Sequence, residues 1–494
     1  MIADVFKKTG KHSLVYGAGS IAGRAVGFVM IPFYTHFLRP ADYGVLELLD
    51  LTTFFLGTIV GLGLTSAIVR FFYDYQDEDE RHEVVSTALL FGIVLLGVVY
   101  LLLCPLSRTF SDSLFGTAEY GFYFRIVFAS LCFDTVAELA LAHVRARQLS
   151  VRATVFTLAR LVMSLTFNVY FIAGLRLGVL GVLYSGLISS CTIAVVLTST
   201  TLREVGSRFS RAKLAAMVRY GFPLIPMSLG MFVLNFSDRF FLQRFANLSE
   251  VGIYSLGYKL GMANGVLITS PFLLFWGPYA LEIIQRPDGR ELVARMQVYF
   301  TCVLLACTLA IAMIGDPLVR VLSPPEYHRA ASVIPIVGLA YLFLGLSYFF
   351  RIGLSYTKRT KYMGFAVGGV ALLNLPLNFM LIPRFYAMGA AWATLLSFAA
   401  LALALFLTSQ SVYAIPYEYR RMIKLLAAGA IVFAVSKLLP VASLIPALLV
   451  NGTCLLTLPL LLHGLRFFDN EELDHARAFA RTLMGRVRPA SGAL

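Results

Sequence analysis

The chain carries fourteen long apolar stretches, and they leave few folds open. They run near residues 13–38, 43–69, 84–105, 122–144, 153–174, 177–199, 220–243, 251–276, 296–316, 331–353, 362–382, 388–412, 422–440 and 443–463. A helix needs about 20 apolar residues to cross a bilayer. In hydrocarbon only helices and closed barrels satisfy their own backbone groups. The expected fold is therefore all-α and polytopic, with about 14 transmembrane helices. Composition agrees: 59% of residues are hydrophobic and 14% charged, against about 25% charged in soluble domains. The run near the N-terminus follows Lys7, Lys8 and Lys11 but continues to Leu38 without an A-x-A site. It reads as a permanent span rather than a signal peptide.

The net charge is +14. In a soluble chain that excess points to nucleic acid; here topology accounts for it, and no nucleic-acid partner is expected. With the N-terminus in the cytoplasm, 27 Lys and Arg fall in cytoplasmic segments and eight in the opposite loops. The positive-inside rule then places both termini inside. The acidic stretch 73–83 also falls on the cytoplasmic side, which is tolerable because acidic residues contribute little to that rule.

The chain repeats itself. The segment from Tyr16 (YGAGSIAGRAVGFVMIPFYTHFLRPADYG) is echoed from Tyr220, and NVYFIAGLRLGVLGVLYSGLIS (168–189) by NFMLIPRFYAMGAAWATLLS (378–397). Two parallel six-helix repeats are expected, at 1–203 and 204–415, followed by two further spans (416–465) and a cytoplasmic tail (466–494). Such repeats belong to transporters whose site lies between the halves.

Catalytic and metal motifs are missing. Cys104, Cys132, Cys191, Cys302, Cys307 and Cys454 form no CxxC pair and read as small core hydrophobes. GAGS (17–20) lacks the GK[ST] of a phosphate loop, and neither HExxH nor GxSxG occurs. No cofactor, metal or catalytic residue is expected. The outer loop 106–121 is too short to build the catalytic domain of a polysaccharide polymerase or ligase.

Four segments carry a resemblance: PFYTHFLRPADYGVLEL (32–48), YGFPLIPMSLGMFVLNFSDRFFL (220–242), VGIYSLGYKLG (251–261) and LNFMLIPRFYAMGAAWAT (377–394). Together they resemble the O-antigen type oligosaccharide flippases of the multidrug/oligosaccharidyl-lipid/polysaccharide exporter superfamily. The resemblance implies a V-shaped pair of bundles that alternates between inward-open and outward-open. It implies an undecaprenyl-diphosphate-linked glycan as cargo, turned to the periplasmic leaflet of the bacterial inner membrane for O-antigen, capsule or exopolysaccharide. Membrane lipid, a polymerase and glycosyltransferases are the implied partners. The alternatives are a multidrug cation exporter of the same superfamily and a membrane-embedded polymerase or ligase. A cation exporter needs an acidic pocket, and a deep arginine at position 24 argues against one.

An ionisable residue at bilayer depth marks a functional site by default. Arg24 lies about 16 Å into the first span among Gly17, Gly19, Ser20, Gly23 and Gly27. It fits either a bidentate phosphate anchor or a structural partner for Asp134. In the related peptidoglycan-precursor flippases a first-helix arginine is implicated in cargo binding, and Arg24 occupies a similar place. Arg125, Arg160, Arg239 and Lys259 complete the candidate substrate-binding set. Asp134, Glu138, Asp238, Glu47 and Asp50 are candidate coupling groups or counter-ions. Asp134 and Glu138 share a helix face, which Arg145 extends. Arg24 is the deepest cation and Glu47, Asp50 and Asp238 lie outward, so an inner cationic vestibule is expected. Arg70 and Arg351 read as topology anchors, and Trp276 as a candidate platform for a sugar ring.

Overall fold

The computed structural model describes residues 27–439 and 443–468. Arg24, most of the first expected span and the tail from 469 lie outside the described residues. Helix α1 covers 27–37, and Arg39 then leads into α2 (Pro40–Val60). Proline at the first helical position needs no intrahelical N–H partner, and the Asp42 carboxylate accepts from the Arg39 N–H at 3.2 Å. The second expected span is split: α2 stops at Gly61, Gly63 adopts φ 64°, and α3 (Leu64–Asp74) resumes. Glycine is required at 63 twice over, by that left-handed φ and because a Cβ would lie 2.7 Å from the Gly221 carbonyl oxygen.

The remaining N-terminal helices are α4 (Glu78–Leu103), α5 (Ser107–Phe115), α6 (Gly121–Ala146), α7 (Ser150–Asn168) and α8 (Val179–Val205). The linker after α8 is itself partly helical: Ser210 caps α9 (Arg211–Gly221) by accepting from the Lys213 N–H. This basic linker meets the acidic stretch, with Lys213 Nζ 2.7 Å from Glu83 and Arg208 3.2 Å from Asp79. Both segments therefore lie at one end of the molecule, called the basic end below.

The C-terminal helices are α10 (Ile225–Phe245), α11 (Leu248–Gly261), α12 (Ser270–Ile283), α13 (Gly289–Leu322), α14 (Ile334–Phe350), α15 (Ile352–Tyr356), α16 (Lys361–Val412), α17 (Tyr419–Leu438) and α18 (Leu444–Gly464). Helix α16 is two helices joined at Tyr386 (φ 47°, ψ −124°). Helices α3, α4, α6, α7 and α8 pack among themselves, as do α10, α11, α13, α14 and α16, while α17 and α18 lean on α13. No strand occurs among the described residues.

Among the described residues eleven segments are long and apolar enough to cross a membrane, against the fourteen expected of the whole chain. Two expected spans merge in α16. Helix α17 is diluted by Arg420, Arg421, Lys424 and Lys437. The first expected span is only partly described.

The halves meet where α2 crosses α11, opposite the basic end, and again nearer that end where Gly63 abuts Gly221. Small residues permit the approach: a Cβ on Gly44 would collide with the Leu248 carbonyl, and one on Gly252 with that of Pro40. Tyr327 donates to the Leu38 carbonyl at 2.9 Å and Thr35 to that of Leu322 at 3.1 Å, which ties the same end shut.

Candidate functional site

Behind that crossing lies a cavity of about 420 Å³ lined from both halves, by Tyr34, Tyr43, Glu47, Asp50, Ser164 and Asn168 on one side and Lys259 and Met262 on the other. Tyr43, Glu47 and Asp50 follow at spacings of four and three along α2 and so share a face. Lys259 occupies the last turn of α11, just before the π-helical segment Gly265–Thr269. Its ammonium donates to Glu47 Oε2 at 2.7 Å and to the Tyr43 hydroxyl at 3.1 Å. Lys259 keeps 40% of its side chain exposed whereas Glu47 keeps 9%. The carboxylate is thus consumed by the pair, and the cation still faces the cavity. Asp50 faces the same space and makes no ion pair among the described residues.

Arg239 sits behind this pair. Its Nε is 4.0 Å from Glu47 Oε1, and it donates to Asp238 at 2.7 Å and to the Asn235 carbonyl at 2.6 Å. The guanidinium lies 3.8 Å from the Tyr258 ring centroid, and Asp238 also accepts from Tyr254 and Thr394. At 1% exposure Arg239 presents no surface to a cargo. It and Asp238 form a buried, ion-paired cluster, which departs from the expectation that Arg239 lines the site.

The other candidates are dispersed. Arg160 of α7 pairs with Asp134 of α6 and donates to Ser190 of α8 at 3.2 Å, inside the N-terminal half. Glu138 pairs instead with Arg145 at 3.3 Å, so Asp134 and Glu138 do not act on one partner. Arg125 is exposed and donates to Ser107 at 3.2 Å, away from the cavity. Arg24 lies outside the described residues. Among those described, the cavity presents one cation against two carboxylates, so the expected cationic vestibule is not seen there. Trp276 is no sugar platform: it is 1% exposed, with Phe272 and Phe349 rings at 5.5 and 5.1 Å.

Tyr34, Tyr43, Ser164 and Asn168 were not singled out from sequence. Tyr43 stands one turn before Glu47, and Asn168 opens the repeated NVYF segment; those were the available signals. A second cavity of about 680 Å³ shares Met262 and Val266 with the first and adds Phe54, Ser66, Asn235, Tyr341 and Tyr348.

Two groups of apolar, membrane-length helices that share a charged cavity define a polytopic membrane transporter. The chain belongs to the polysaccharide biosynthesis protein family, whose pattern matches residues 9–283. It is 21% identical over 325 residues to the succinoglycan biosynthesis transport protein ExoT of Rhizobium meliloti, covering 65% of this chain and 63% of that protein's length. Its fold is similar to that of a solved structure described as a lipid II flippase MurJ in an inward closed conformation (TM-score 0.76, 13% identity, 92% of this chain and 99% of that one). An inward-facing multidrug resistance MATE family transporter of the MOP superfamily is also similar (TM-score 0.62, 15% identity, 81% and 97%).

Proposed function

We propose that this chain flips an undecaprenyl-diphosphate-linked oligosaccharide from the cytoplasmic to the periplasmic leaflet of the bacterial inner membrane, by alternating access, without altering it chemically. The observation that carries this reading is Lys259, a cation at membrane depth in a cavity shared by both halves, held by Glu47 and Tyr43 of the other half. A cation in a water-poor cleft attracts the diphosphate strongly. Because the same ammonium bridges the halves, an arriving anion competes with Glu47 for it, which couples binding to the α2–α11 contact. Arg24, expected on the first helix, is the second cation of this reading. The family, and the name of the succinoglycan transport relative, support a polysaccharide precursor over a drug.

The cytoplasmic placement of both termini follows from the 27 to eight distribution of Lys and Arg. The two six-helix units are placed at 1–203 and 204–415; a polymerase and glycosyltransferases are the proposed partners.

The test is reconstitution. Purified protein in liposomes should expose lipid-linked glycan in the opposite leaflet, chemically unchanged. Extended or hydrolysed glycan produced by this protein alone would make it an enzyme instead.

A further inference from the structure

Five basic residues stand inside the first twelve expected spans among the described residues. Arg160, Arg239 and Lys259 each pair with a carboxylate, and Arg125 donates to Ser107. Arg351, at the junction of α14 and α15, differs. Among the described residues its side chain has no carboxylate partner; its buried Nε makes no hydrogen bond, a feature it shares with Arg239, which has Asp238 to offset it. Its guanidinium instead lies 4.3 Å from the ring centroid of Tyr348, one turn back along α14.

A membrane anchor behaves otherwise. Helix α14 begins beside the α2–α11 crossing and runs toward the basic end, so a snorkelling arginine at its C-terminus would reach onward to water. Arg351 folds back onto Tyr348, which lines the 680 Å³ cavity, so the guanidinium stands directly behind that lining. An uncompensated cation held inward costs several kcal/mol at membrane depth, and an anion offsets that cost. From the other half, Ser66 of α3 lines the same cavity, and Arg70 one turn further on stacks 4.9 Å from Tyr220. An exposed Asp74 pairs with Arg70 at 3.6 Å.

We propose that Arg351 is a phosphate-binding residue, which takes the diphosphate of the lipid-linked cargo in the second cavity before it reaches Lys259. This rests on the flippase reading above. A planar guanidinium backed by an aromatic ring leaves its N–H fork free, and that fork matches phosphate oxygens. The Tyr348 ring, 4.3 Å away, holds the guanidinium in place, so the anion arrives at a group already positioned. Passage past Met262 and Val266, which line both cavities, then leads to Lys259.

The experiment uses full-length protein and native mass spectrometry, with undecaprenyl diphosphate, undecaprenol and phosphatidylglycerol as probes. Arg351→Gln should weaken undecaprenyl diphosphate binding about ten- to a hundredfold, the range for a lost charge-assisted contact. Arg351→Lys should weaken it less, because charge survives without the fork, and undecaprenol binding should not change. Thermal melting of each variant reports folding, and if the glutamine variant fails to fold, the lysine variant decides. Unchanged diphosphate affinity with lost transport would overturn the proposal and assign Arg351 to the conformational cycle. An equal loss for phosphatidylglycerol would overturn it in favour of a bilayer phospholipid. A wild-type protein that ignores undecaprenyl diphosphate altogether would overturn the flippase reading itself.

Discussion

Glu47 of α2 accepts from the Lys259 ammonium at 2.7 Å across the boundary between the two halves, with Arg239 Nε 4.0 Å away on its other oxygen. One carboxylate therefore answers two cations of the opposite half. Removing it should leave Arg239 with Asp238 but Lys259 with only Tyr43. Glu47→Gln is expected to lower stability by about 1–3 kcal/mol, the range for stranding a partly buried charged partner. The 40% exposure of Lys259 keeps the loss below that of a fully buried pair. Thermal melting of Glu47→Gln, Lys259→Gln and the double variant checks this, and the double variant should recover part of the loss. Additive losses would mean the pair has no coupling energy.

Lys259→Gln should do more to transport than to folding. The cation faces the cavity, so export of polysaccharide should fall at least tenfold at normal protein abundance. Normal export would remove Lys259 from the cargo path.

The α2–α11 crossing depends on Gly252, where a Cβ meets the Pro40 carbonyl. Gly252→Ala should prise that end open, at a cost of about 1–3 kcal/mol for overpacking. The readout is a cysteine at Tyr34, a cavity-lining position, in a protein freed of its six native cysteines. An impermeant maleimide added outside should label it faster in the alanine variant. Equal rates would show that this crossing does not gate the cavity.

Arg160 and Asp134 form an ion pair inside the N-terminal half. If it is structural, Arg160→Ala and Asp134→Asn should each lower the melting temperature, and the swap Arg160→Asp with Asp134→Arg should recover part of it. Each side chain keeps about a third of its surface exposed, so losses of about 1 kcal/mol are expected. Stable single variants that no longer export would return the pair to the cargo or coupling role.

A periplasm-dependent reporter should work when fused after residue 113 and fail after residue 207 or 494. The first point lies in α5, and the second lies in the basic linker that pairs with the acidic stretch. The reverse pattern would invert the orientation.

Much of this was legible in the order of residues alone. Spanning helices announce themselves by composition, because hydrocarbon admits no other way to satisfy a backbone. The repeated motifs and the family resemblance needed no coordinates. Glu47 and Asp50 were visible as one face of a helix, and Lys259 as a cation too deep to ignore. Tertiary structure decided what each charge does, because an ion's role depends on its partners, and those lie far along the chain. Glu47 and Lys259 are 212 residues apart, and Asp238 and Thr394 are 156. Sequence spacing reads faces within one helix, not which helices cross. That is why Arg239, expected to meet cargo, proved to be a sealed core cation, and why Arg351, expected to be an anchor, is held against Tyr348 with no carboxylate among the described residues.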